Sequence, residues 1–419
     1  MDILRVATVA IAFALLAGCS SESSDSSDST ASTGGTYTLS DGSTVSTTGE
    51  SYSSSTSDVS AIYVTKGTLK LTTPTIEKSG DVSSSDGCKK GLNAAVLASS
   101  SSAAISIENG TIASSAEGGN AAFAYNGASV TLVGTTITCT GSGECRALYA
   151  TYGGSITATD VTASTTGKNS SAVATDMGGG AIALTAGSFS ASGTDSAGLY
   201  STGTITGSGI TAYSANGEAC VIEGSNSIAL SSACVLKSGA TNRGVLILQS
   251  GSGDATGYNA VFTMTGGSIT TTESTVGSSS TSTYTAVPAF EVATNTTGTI
   301  TLTDVTLSIA SGVLLEVDKN GRWTTSGATG NLILKTAGAS YSVSGDVLAD
   351  SYSSASVTVG SKVTWTGAFD AANAASSGAV TVESGGTWIL SDDSYVDTLT
   401  NNGTVTKNGH ALYVGGVAQ

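Results

Sequence analysis

The side chains that carry out most protein chemistry are sparse in this sequence. His410 is the only histidine in 419 residues, so Ser-His-Asp or Cys-His nucleophilic catalysis would depend on one residue in the C-terminal tail. Six cysteines are present without a Cys-x-x-Cys pair, which leaves zinc no ligand set. No metal and no cofactor is expected. Carboxylate chemistry is what remains, because glycoside cleavage can run on two carboxyl groups alone. Asp176, Asp195 and Glu218 fall near equivalent places of consecutive repeats, with Glu144 beside Arg146 one repeat earlier, and they form the candidate acidic cluster. No Asp-x-Asp motif reinforces it, so no residue is assigned a catalytic role and binding without catalysis is the expected activity.

The cysteines other than Cys19 suggest cross-links. Cys139 and Cys145 bracket a Gly-Ser-Gly turn and make the first candidate disulfide; Cys220 and Cys234 make the second, and Cys88 is left over. A second kind of site is aromatic. If Ile62, Leu148 and Leu199 point inward, the period-2 rule sends Tyr63, Tyr149 and Tyr200 outward on one face, where tyrosines stack on sugars or anchor a partner. The other register buries them.

The elements that must position these residues repeat. The stretch Gly153-Gly154-Ser155-Ile156-Thr157 recurs as Gly127-Ala128-Ser129-Val130-Thr131, Gly203-Thr204-Ile205-Thr206, Gly267-Ser268-Ile269-Thr270 and Gly298-Thr299-Ile300-Thr301. A further strand of each unit forms a second column, through Ala61-Ile62-Tyr63-Val64, Ala147-Leu148-Tyr149, Gly198-Leu199-Tyr200 and Ala289-Phe290-Glu291-Val292. Steps of 20 to 50 residues mark a solenoid, whose units bury their apolar faces only by stacking. The spacing lengthens between Ile62 and Val96 and between Leu246 and Phe290, and the surplus in Ser250–Gly257 and Glu273–Thr285 is expected to protrude as loops. Asp160 and Asp304 occupy matching places and read as turn residues.

Composition agrees with a single long all-β body: 54 Gly, 2 Pro, 5% aromatic and 11% charged residues. A net charge of -16, with only 15 Lys and Arg, removes the electrostatic footing for nucleic-acid binding. Val6 to Gly18 is an apolar run of secretory length, too short to span a bilayer. It ends in Leu16-Ala17-Gly18-Cys19, followed by a Ser-, Thr-, Asp- and Gly-rich tract.

That tetrapeptide resembles the lipobox of bacterial lipoproteins. The resemblance implies cleavage after residue 18, lipidation of Cys19, and membrane attachment at the cell surface or outer membrane, with residues 19–36 as a polar tether. Residues 37–322, with three short strands, Gly corners and Ser/Thr-rich outer positions, resemble a right-handed parallel β-helix of about a dozen coils. Residues 323–419 carry Gly386-Thr387-Trp388-Ile389-Leu390, Ser394-Tyr395-Val396 and Asn402-Gly403, and they resemble the last coils of pertactin-like autotransporter passengers. No membrane barrel follows within the chain, and the lipid anchor is expected to take over attachment. The region of Trp323, Trp365 and Trp388 is expected to cap the end. These resemblances lead to an adhesin-like surface lipoprotein that binds extracellular polysaccharide or a surface protein. A polysaccharide lyase or glycoside hydrolase, and a structural envelope or matrix component, stand as alternatives.

Overall fold

The computed structural model describes residues 34–239, 242–274, 286–319 and 326–419. The expected signal peptide, Cys19, nearly all of the expected tether and Trp323 lie outside the described residues, as does most of Glu273–Thr285. What is described is all-β, built from long parallel sheets and consistent with a β-solenoid; its α-helix, α1, spans only Ser85–Lys89. No described helix is long and apolar enough to cross a membrane.

A twelve-stranded sheet begins at Gly35–Leu39 and ends at Asp346–Ala349, and the chain returns to it once per repeat. The two rows of a 22-stranded sheet make the other sides. These rows join where Gly154–Thr165 and Gly180–Ala191 run through both, bending at Asp160 and Ala186 with φ of 52° and 55°. Asp304 takes the same left-handed conformation, φ 54°, at its corner. Short Asx side chains tolerate that region best, which accounts for the recurring Thr-Asp-Val.

In-register parallel pairing stacks like on like. Ile105, Val130, Ile156, Ile182, Ile205, Ile228, Phe262 and Ile300 pair residue over residue into one buried interior column. Alternate positions such as Thr131, Thr157 and Thr206 face solvent. Each repeat therefore buries one apolar set against its neighbours and leaves hydroxyls outside. The Gly153-Gly154 pair has two separate causes. Gly153 adopts φ +76°, and a Cβ on Gly154 would lie 2.1 Å from the Ala124 carbonyl oxygen of the adjacent repeat.

At the C-terminal end, Trp365 and Trp388 stack at 5.2 Å between centroids with 7° between planes, both wholly buried. Their indole N–H groups donate to Gly345 and Gly367 carbonyls at 2.9 Å. They fill the interior. Near the C-terminus Val417–Ala418 folds back antiparallel on Leu412–Val414.

Candidate functional site

Side chains alternate along the twelve-stranded sheet. Ile62, Val96, Leu148, Val173 and Leu199 point to the interior core, whereas Leu97, Phe123, Tyr149, Tyr200, Val221 and Leu246 form a separate apolar cluster on the outer face. Tyr63 and Tyr125 pack against that cluster half-buried. Tyr149 and Tyr200 are 0% and 7% exposed, so the exposed tyrosine face expected from sequence is absent at these two residues. Alternation sets which face a residue points to, but two insertions decide whether that face stays open.

The first cover is α1 and the turn after it. Ser84 caps the helix by accepting the Gly87 N–H at 3.1 Å, and Lys90 pairs with Asp86 at 3.0 Å. Gly91 then lies on the Phe123 ring, where a Cβ would come within 2.9 Å of Cγ, and Thr151 Oγ1 donates to the Lys89 carbonyl at 3.2 Å. The second cover is Ser250–Gly257. Expected to protrude, it instead folds onto the sheet, burying Asp254 and Ala255 and bringing Ser250 Oγ to donate to Glu223 Oε1. Ser252 Oγ donates to the same oxygen at 3.3 Å.

Between these covers lies a buried polar cluster. Tyr149 donates its hydroxyl to Asp176 Oδ2 at 2.7 Å, and Tyr200 donates to Glu223 Oε2 at 2.6 Å. The Arg146 guanidinium stands 4.6 Å over the Tyr149 ring, whose centroid lies 4.7 Å from that of Phe123 with 76° between the planes. Burial raises the Glu223 carboxyl above its ordinary range against the hydrogen bonds from Ser250 and Tyr200. Asp254 is pushed up to about 7, first by burial and then by the charges of Asp176 and Glu223, with Ser252 and Lys89 opposing. Its Oδ2 is buried and accepts no hydrogen bond among the described residues.

A neighbouring cluster is organised by Arg243, which donates to Glu291 Oε2 and stands 3.8 Å from Glu218 Oε1. Burial works to lower the Arg243 pKa, but Glu291, Glu218 and Glu316 raise it overall. Glu218 is raised by burial despite Arg243, and Asp195 adds to that rise. The three acids grouped from sequence are thus divided: Asp176 belongs with Glu223 and Asp254, whereas Asp195 and Glu218 belong with Arg243 and Glu291. Sequence reasoning missed Glu223, Glu291, Arg243 and Asp254. The signal for the first two was available, since Cys220-Val221-Ile222-Glu223 and Phe290-Glu291 place an acid on the outer face of strands otherwise apolar there.

The five described cysteines are buried free thiols, so neither proposed bridge is formed. Cys139 and Cys145 are nonetheless hydrogen-bonded neighbours, and burial pushes the Cys139 thiol up. Cys220 and Cys234 are not joined; burial raises Cys220, and Cys234 donates to the Ser231 carbonyl at 3.0 Å. Among the described residues one group has metal-ligand spacing, Asp392, Asp393 and His410, exposed or half-buried at the C-terminal end.

Neither a protein-family model nor a curated protein matches this sequence.

Proposed function

We propose that this protein is a lipid-anchored surface protein whose body, a right-handed β-helix of about a dozen three-stranded coils, binds extracellular polysaccharide without cleaving it. The observation that carries this reading is the run of exposed hydroxyls on the 22-stranded sheet, at Thr131, Thr157 and Thr206 and their counterparts. In-register strands repeat at about 4.8 Å, so such a face offers an extended polymer many weak, evenly spaced hydrogen bonds. Lipidation at Cys19 and the tether supply the attachment. Electrophoresis of the protein in native gels cast with a polysaccharide panel tests the reading. Retardation without loss of polymer stain is the expected result, and absence of retardation in every polymer refutes it.

One observation favours a second reading, polysaccharide cleavage. The Asp176, Glu223 and Asp254 carboxyls are grouped on one face of the twelve-stranded sheet, and glycoside cleavage can run on a pair of carboxyl groups. Cleared polymer and new reducing ends would establish this reading in place of the first, and Asp254→Asn would then abolish the clearing.

A further inference from the structure

The C-terminal repeats hold a second aromatic arrangement, separate from the covered face. Tyr395 and Tyr413 pair in parallel register on the strands Ser394–Val396 and Leu412–Val414. Their rings stack at 4.6 Å between centroids with 1° between planes, and both remain half-exposed. Among the described residues neither hydroxyl is engaged in a hydrogen bond with another group.

Opposite this aromatic wall is a built loop. Tyr395 N–H donates to the Phe369 carbonyl at 2.9 Å, and directly after Phe369 the chain turns away. Asp370 holds that turn, its two oxygens accepting the Ala374 and Ala375 N–H groups at 2.9 Å each, while Asn373 sits exposed at φ 51°. Asp397, exposed, accepts the Gly378 N–H through Oδ2 at 2.7 Å. The two walls enclose a cleft of about 250 Å³ lined by Asp370, Asn373, Ala375, Tyr395, Asp397 and Tyr413.

We propose that this cleft is a saccharide subsite that takes one neutral or amine-bearing hexopyranose unit of a polymer. The ring pair offers an apolar surface to the C–H face of a sugar, and Asn373, Asp397 and the two phenols offer donors and acceptors to its hydroxyls. The charge selects the class. Two carboxylates line the cleft with no Lys, Arg or His among its lining residues, so uronate and sulfated sugars are repelled and an amino sugar is attracted. The proposal rests on the polymer-binding reading and adds where the polymer is gripped and what kind of unit is accepted.

The test is calorimetric titration of the full chain with cellotetraose, with the glucosamine tetramer and with tetragalacturonate. Binding of either of the first two, none of the third, and at least a tenfold loss of affinity in Tyr395→Ala is the expected result. Ala375→Phe fills the cleft from the opposite wall without disturbing the ring pair and is expected to give the same loss, which guards against misfolding of the first variant. Undiminished binding by both variants overturns the cleft, as does tightest binding of tetragalacturonate. If no tetramer binds a protein that polysaccharide gels still retard, the cleft is overturned and the polymer-binding reading stands.

Discussion

Replacing Asp254 by Asn should remove a component of the pH dependence of stability. Asp254 is faced by Asp176 and Glu223 on the sheet, by the Tyr200 phenol, and by Lys89 from the helical cover, and its carboxyl is pushed up to about 7 from an ordinary 3.8. The folded state therefore holds this proton more tightly than the unfolded chain does. Its contribution to stability is complete below the unfolded value, falls as pH rises, and is gone once pH passes the folded value. At about 1.4 kcal/mol per unit, the wild type should lose on the order of 2–3 kcal/mol between pH 5 and pH 8 from this group alone. Asn keeps the shape without the titration. Urea unfolding at half-unit pH steps should give curves for wild type and Asp254→Asn that converge below about pH 4, with the gap between them widening by on the order of 2–3 kcal/mol from pH 5 to pH 8. The difference between the two chains reports Asp254 together with its coupling to the neighbouring Asp176 and Glu223 carboxyls. Amide exchange in Ser250–Gly257 should follow the same course, accelerating in the wild type relative to the variant above pH 7. Equal slopes across the whole range, with equal exchange at pH 8, would refute the assignment of the buried proton to Asp254.

Arg243→Leu should destabilise by about 3–5 kcal/mol, measured by denaturant unfolding, because it strands the buried Glu291 and Glu218 without their cation. Tyr200→Phe removes one donor to the buried Glu223 and should cost about 1–3 kcal/mol in the same assay. Ile156→Ala opens a void in the interior column and should cost about 2–5 kcal/mol, while Thr157→Ala, exposed one residue on, should stay within about 0.5 kcal/mol. The thiols of Cys88, Cys139, Cys145, Cys220 and Cys234 should react with a thiol reagent only as fast as the protein unfolds, since all five are buried; rapid labelling of the native protein would contradict their placement.

The sequence alone determined the repeating parallel sheets and the inward columns. A period-2 alternation repeated at nearly constant step has one low-energy solution, stacking in register, and Ile156 over Val130 follows from it. The same local logic marked Asp160 and Asp304 as corner residues, because a left-handed backbone is a property of the residue itself. For Tyr149 and Tyr200 it left two registers open, one of them pointing away from the interior. Only the tertiary structure decided what lies over them. α1 and Ser250–Gly257 are surplus segments whose docking depends on contacts across many repeats, and no local pattern records that Gly91 will rest on Phe123 or that Asp254 will meet Asp176. Which acids come together likewise depends on register and on where each insertion folds back, so Asp176 parts from Glu218 although both sit near the same strand of the repeat. The Tyr395–Tyr413 stack was implicit in the spacing of the last repeats; two local hydrogen bonds to Asp370 hold the turn where the chain leaves the sheet, but only the fold sets that turn opposite the two rings.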